Sequence, residues 1–303
     1  LMKFFNFTKI IFVNLILLYF FLYILELFIN FNNNKIFQKT RLYYLNKDSK
    51  NLDEKIYLNF GAYKLVDKTV DILPLSGYEN AKILLCLDEN NNPVYFNSDK
   101  NGFNNKDTDQ NNILLIGDSY VQGMCVNNNY IFNEQFKKYN LNTSSLGVAG
   151  NGPLLEFATF KEYKLDLNLK SIVLFITPDN DFYDLSNEKN NKILKNYLND
   201  DNFKQNLSTE QIRKRKIEIL DGYFGNKTNR LWNDFFTVYH FNLKQVGNLI
   251  EDLFKRKNLS NDEYLYLQSQ EIDELFIKIL DRFIEETKKD NINYLKDIKT
   301  SKI

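Results

Sequence analysis

The chain has 303 residues, 44% hydrophobic and 15% aromatic, enough for one large packed domain with appendages and too apolar for a disordered chain. Its 39 basic and 39 acidic residues cancel, which removes the electrostatic footprint of a nucleic-acid binder. The 2 cysteines cannot build a zinc site by themselves, and no metal or cofactor is expected.

Residues 1–30 differ from all that follows. From Ile10 to Ile29 only Asn14 and Glu26 interrupt an apolar run, about the ~20 residues that cross a ~30 Å hydrocarbon core. We read it as a transmembrane helix, since it exceeds the ~7–15 apolar residues of a signal peptide and no small-x-small cleavage site follows. Lys3 and Lys9 on one side face Lys35, Lys39 and Arg41 on the other, so charge does not orient it. Residues 31–53, rich in Asn and Lys, read as a linker, and 54–303 as one domain.

Between Lys55 and Phe96 short apolar runs alternate with turn-forming segments, which predicts extended or hairpin structure beside the main sheet. Asn97–Asn105 is a turn-rich entry to Ile113–Ile116, four apolar residues that read as a buried parallel strand. That strand delivers Gly117, Asp118 and Ser119 onto the turn at its C-terminal end, where open α/β sheets bind ligands. A serine opening a helix there has an exposed hydroxyl and a free backbone N–H, two needs of an acyl-transfer nucleophile.

Strand and helix then alternate, the signature of a parallel sheet with helices on its faces. The spacing predicts a helix over Tyr130–Tyr139, a strand ending in Ser145-Leu146-Gly147, the loop Val148–Pro153 and a helix over Leu154–Lys164. A third strand, Ser171–Thr177, stops at Pro178. Beyond Asp181 the pattern is helical: Ser208 with Gln211 opens a helix to about Leu220, and amphipathic stripes run over Leu243–Phe254 and Ile272–Ile284. Ile292–Leu295 begins a fourth strand. Cys86 and Cys125 are either two buried thiols or one bridge; in an exported domain a bridge would tie the segment before the first strand to the loop after Ser119.

Three motifs at successive strand ends resemble the SGNH, or GDSL-type, hydrolases. They are Gly117-Asp118-Ser119, the loop Gly147-Val148-Ala149-Gly150-Asn151-Gly152, and Pro178-Asp179-Asn180-Asp181, where proline stands in place of the family's glycine. The resemblance covers Asn97–Asp184, and the GDSYVQGMCV run is similar to a membrane-anchored cell-envelope subgroup. It implies a three-layer flavodoxin-like α/β fold with an α-helical insertion. It further implies an esterase or acyltransferase acting on O-acetyl groups of envelope polysaccharide, held at the bacterial inner membrane by residues 10–29 with its domain in the periplasm. Ser119 would be the nucleophile, with its own N–H, that of Gly150 and the amide of Asn180 holding the oxyanion. Asp118 reads as a brace of the turn and Asp181 as a helix cap.

The base is the piece that does not match. The family places Asp-x-x-His near its C-terminus, whereas the sole histidine, His240, lies in an aromatic helical stretch with no aspartate three residues before it. We therefore expect a C-terminally incomplete chain and a weak catalyst, the alternative being a non-catalytic carbohydrate-binding or assembly module of the same fold.

Overall fold

The computed structural model describes residues 13–26, 56–87, 93–106, 112–164, 169–239, 262–290 and 292–294. They fall into two compact units, one of residues 1–47 and 224–266, the other of 48–223 and 267–303. The span 54–303 is thus divided, residues 224–266 grouping with the N-terminal segment. The linker 31–53, the Leu243–Phe254 stripe and His240 lie outside the described residues.

In the first unit, α1 covers residues 13–26, and its large apolar side chains from Val13 to Ile24 are mostly exposed, while Glu26 is buried. Among the described residues no helix is long and apolar enough to cross a membrane. As described, α1 falls short of the ~20 residues that a bilayer core requires. Residues 10–12 and 27–29 of the expected span lie outside the described residues.

The second unit is mixed α/β. Strands β1 (Ile56–Leu58), β2 (Lys82–Leu87) and β3 (Pro93–Asn97) form a small sheet in that order, β1 parallel to β2 and β2 antiparallel to β3. The main sheet holds β4 (Ile113–Ile116), β5 (Thr143–Ser145), β6 (Ser171–Leu174) and β7 (Asn293–Tyr294), all parallel, in the order β5-β4-β6-β7. Its middle strand β4 is the apolar run ILLI, with Leu114, Leu115 and Ile116 fully buried, as a strand covered on both faces requires. The chain leaves β4 for one neighbour, β5, and returns past it to the other, β6. The loops after β4 and β6 therefore diverge and open a crevice at their C-terminal ends.

Helices α2 (Ser119–Gln122), α3 (Phe132–Lys137), α4 (Pro153–Tyr163), α5 (Pro178–Glu188), α6 (Lys192–Asn199), α7 (Glu210–Tyr239) and α8 (Asp262–Lys289) complete the chain. The helix expected over Tyr130–Tyr139 is shorter, a 3₁₀ turn at Asn128–Tyr130 followed by α3. The strand expected to reach Thr177 ends at Leu174, because its partner β4 turns away at Gly117. The helix opened near Ser208 runs past Leu220 to Tyr239.

Every residue of α4 is buried, so it is the central helix of this unit. Its apolar residues pack outward, Phe157 edge-on and Phe160 stacked against Phe283 of α8. At its far end buried polar groups find partners: Lys161 donates to Tyr197 O and Asp200 O, Tyr197 OH donates to Glu162, and the C-cap Lys164 pairs with Glu286, whereas Glu156 Oε1 has no partner among the described residues. Burial without such partners is costly.

Candidate functional site

The chain turns sharply out of β4. Asp118 accepts a hydrogen bond from Tyr120 N at 3.0 Å and so caps α2, which places Ser119 at the first helical position, half-buried. A short helix beginning there leaves its first N–H groups without intrahelical acceptors.

Glycine brings the second loop close. A Cβ on Gly147 would lie 2.3 Å from Gln122 N and 2.5 Å from Val121 C, so the backbone of this loop rests directly on α2. Ala149 N donates to Gln122 Oε1 at 3.1 Å, fixing the loop to the end of that helix. Gly150 sits at φ +77° under the Tyr63 ring, 2.5 Å from where a Cβ would be, and both features require glycine. Among the described residues neither Ser119 N–H nor Gly150 N–H has an acceptor.

The third motif arrives on α5. Asn180 Nδ2 donates to Asp118 Oδ2 at 3.1 Å, and Ser119 Oγ donates to the same oxygen at 3.4 Å. Asp118, Ser119 and Asn180 therefore meet at one carboxylate. The loop of Gly150 is tied to the same helix by the Ala149 bond to Gln122 and to the end of β4 by Val148 N, which donates to Gly117 O at 3.3 Å. Asp181 bonds Thr177 N at 2.6 Å, closing the start of α5.

Beneath this lies an acidic group legible in the sequence only in part. Asp181, Glu156 and Glu188 are buried and Asp184 is half-buried. Burial, and then the neighbouring carboxylates, push the Glu156 carboxyl well above the usual carboxylate range. Burial raises Asp181 to about 7 against the pull of the Thr177 amide, and repulsion from Asp118 and Asp184 adds to the rise. Burial also raises Asp184, with Asp118 adding and the Asn180 hydrogen bond opposing. Glu188 is carried to about 8 by burial, against the amides of Gly152, Leu155 and Leu154. Among the described residues no three of these groups converge as a metal-ligand set.

These shifts fix a sign. A carboxyl whose folded pKa lies above its unfolded value binds protons more tightly when folded, so its contribution to stability is complete below the unfolded pKa and lost as pH rises through the folded one. We expect the melting temperature to fall between about pH 4 and about pH 7. Asp181→Asn should flatten that slope in a thermal-denaturation series; an equally steep slope in the variant would sink the assignment.

Glu188 is the clearest residue that sequence reasoning missed. It accepts from Gly152 N at 2.6 Å, Leu154 N at 3.0 Å and Leu155 N at 3.1 Å, capping the buried start of α4 from another helix. The signal was negative: Gly152-Pro153 opens a helix with no Ser, Thr, Asp or Asn at its cap, so an outside acceptor had to supply it. Tyr63, Tyr120 and Tyr183 stand exposed on the elements that carry the three motifs or cover them. Cys86 of β2 and Cys125, just beyond α2, form a disulfide with Cα atoms 5.5 Å apart, anchoring that loop to the small sheet. No protein-family model matches the chain, and no curated protein or solved structure is similar to it.

Proposed function

We propose that the chain is a serine esterase or acyltransferase of the SGNH/GDSL type, its main sheet a flavodoxin-like core, acting on ester groups, O-acetyl above all, of cell-envelope polysaccharide. The observation that carries this reading is the meeting of Ser119 and Asn180 on Asp118 at the point where the sheet's connections diverge. The unengaged N–H groups of Ser119 and Gly150 support it.

In this chemistry Ser119 Oγ attacks the ester carbonyl and the carbonyl oxygen becomes an oxyanion, met by the N–H groups of Ser119 and Gly150 and by the Asn180 amide. Collapse breaks the bond to the sugar oxygen, which leaves as the alcohol carrying the proton that the Ser119 hydroxyl gave up to solvent, and leaves an acyl-serine that water or an acceptor hydroxyl resolves. No cofactor enters. Among the described residues Asp118 Oδ2 is the one proton acceptor bonded to Ser119 Oγ, so the Ser119 proton lacks an imidazole to receive it.

The exposed apolar side chains of α1 support a membrane anchor over residues 10–29. With the Cys86–Cys125 bridge, which persists in oxidising compartments, they favour a single-pass protein of the bacterial inner membrane with its catalytic unit in the periplasm.

The test supplies the base from outside. The chain should hydrolyse p-nitrophenyl acetate slowly, and added imidazole should recover part of the ~10²–10⁴-fold that a positioned base contributes. Ser119→Ala, carrying the same free-imidazole background, should gain nothing. Identical rates for the two proteins at every imidazole concentration would end the enzyme reading. One observation favours a second reading, a non-catalytic glycan-binding module: in the free protein the Asn180 amide already donates to Asp118. Under that reading Ser119→Ala leaves glycan binding unchanged.

A further inference from the structure

The loop that carries Gly150 contains a four-residue turn, Val148 to Asn151. Val148 O accepts from Asn151 N at 3.1 Å, and Gly150, third in the turn, sits at φ +77°, whereas Ala149 is not among the residues of positive φ. That is the pattern of a type II turn, whose third residue lies near about +80° and calls for glycine. The type I form keeps the same four residues and the same closing bond, with the third residue near about −90°. The two forms differ by a flip of the central peptide, here Ala149–Gly150, and a glycine at 150 is at home in both.

No hydrogen bond holds that peptide. Among the described residues Ala149 O accepts none and Gly150 N–H donates none, and both residues are partly exposed. The flanks are fixed, Val148 N by Gly117 O at 3.3 Å and Ala149 N by Gln122 Oε1 at 3.1 Å. Packing therefore selects between the forms. A Cβ on Gly61 would lie 2.4 Å from Ala149 O, so the carbonyl occupies the space that a side chain at 61 would take. Gly61 itself is extended, at φ −122° and ψ 131°, where any residue is allowed. What position 61 requires is room and not backbone freedom. In a trans peptide the carbonyl and the following N–H point in opposite directions, and no peptide among the described residues is cis. With Ala149 O turned onto Gly61, Gly150 N–H faces the other way. After a flip the carbonyl oxygen would stand where that donor stood.

We propose that the Ala149–Gly150 peptide is a two-state element of the oxyanion site, and that Gly61, outside all three motifs, is the positioning residue that holds it in the donor-presenting form. What the N–H meets there rests on the esterase reading above. A side chain at 61 pushes the carbonyl out of its place, and the flip is the relief that breaks no hydrogen bond among the described residues. A developing oxyanion would then meet a carbonyl oxygen in place of a donor, a loss of at least the ~10²–10³ in rate that one donor supplies. The uncharged ester of the ground state gains little from that donor, so the loss falls on kcat.

Gly61→Ala in the full chain tests this with two readouts. Its crystal structure should show Gly150 moved from φ +77° to negative φ. Its Ser119-dependent, imidazole-assisted turnover of p-nitrophenyl acetate should fall about 10²-fold or more in kcat, with KM within about threefold. Gly77→Ala is the control: its methyl would meet Gly102 O at 3.5 Å, an ordinary contact, and it should leave both readouts unchanged. The methyl at 61 would also meet the Tyr63 ring at 2.7 Å. If Gly61→Ala does not fold, the double variant Gly61→Ala/Tyr63→Ala removes the ring, leaves the Ala149 carbonyl as the closest clash and should show the same change at Gly150. The proposal is overturned if Gly150 keeps its positive φ in the folded variant, if kcat stays within about threefold of the unsubstituted protein, or if neither variant folds. An unsubstituted protein with no Ser119-dependent hydrolysis would remove the esterase reading, and the φ of Gly150 in the variant would still decide whether Gly61 sets the peptide. Ser119-dependent hydrolysis with an unmoved Gly150 would do the reverse.

Discussion

Asn180→Ala should lower Ser119-dependent hydrolysis by about 10²–10³, or ~2.7–4 kcal/mol of transition-state stabilisation, while leaving the protein folded. An amide offers two N–H donors, and in the free protein one of them serves Asp118 at 3.1 Å. A negatively charged oxygen arriving beside Ser119 offers a stronger acceptor than a shared carboxylate, so the amide has something to gain only as the reaction proceeds. The effect should fall on kcat and on kcat/KM alike. Asn180→Asp should be worse, because it sets a carboxylate where an oxygen of Asp118 already lies 3.1 Å away. Imidazole-assisted turnover of p-nitrophenyl acetate measures all three proteins, and an unchanged rate in Asn180→Ala would remove the residue from the site.

For stability the largest effect should come from Glu188→Ala. Its two oxygens hold three N–H groups at the start of a helix that has no cap of its own. Each buried donor left unpaired costs ~1–3 kcal/mol, and the sum is partly relieved by local adjustment. A loss of about 3 kcal/mol or more, near 10 °C in melting temperature for a domain of this size, is the expected outcome. Glu188→Gln keeps one acceptor oxygen and should fall between. A melting temperature within 2–3 °C of the unsubstituted protein, a shift of about 1 kcal/mol, would mean that the helix start finds other acceptors.

Strands β4 and β6 were legible because each is a short, mainly apolar run bounded by polar turns, β4 the plainer of the two, whereas β5 (TSS) and β7 (NY) carry no such run. The helix α4 was legible too, since Pro opens it and its apolar residues are interrupted only by Glu156, Thr159, Lys161 and Glu162. Their ends were less so: β6 stops where its neighbour's pairing stops, which no local pattern encodes. At the site, Ser119 and Asn180 could be read from their place after strands. Tyr63 and Glu188 could not, because what makes them part of the site is a contact with Gly150 and with the Gly152–Leu155 amides, far away in sequence. The acidic group escaped for a similar reason. Glu156 reads as an ordinary helix residue until burial puts it among Asp181 and Glu188.

The last strand of the main sheet pairs with β6 only after the chain has passed through α5, α6, α7 and α8. During synthesis, β6 therefore waits with one row of backbone donors and acceptors open, and Ile172 on the exposed rim of an unfinished sheet. Closing so long a connection is slow, since the chain entropy is lost before the contacts form. An open parallel edge is also a template for strands of other chains. The nascent protein should thus be most prone to self-association in the interval between emergence of β6 and of β7, and truncation before Asn293 should lower soluble yield more than its two paired residues would imply.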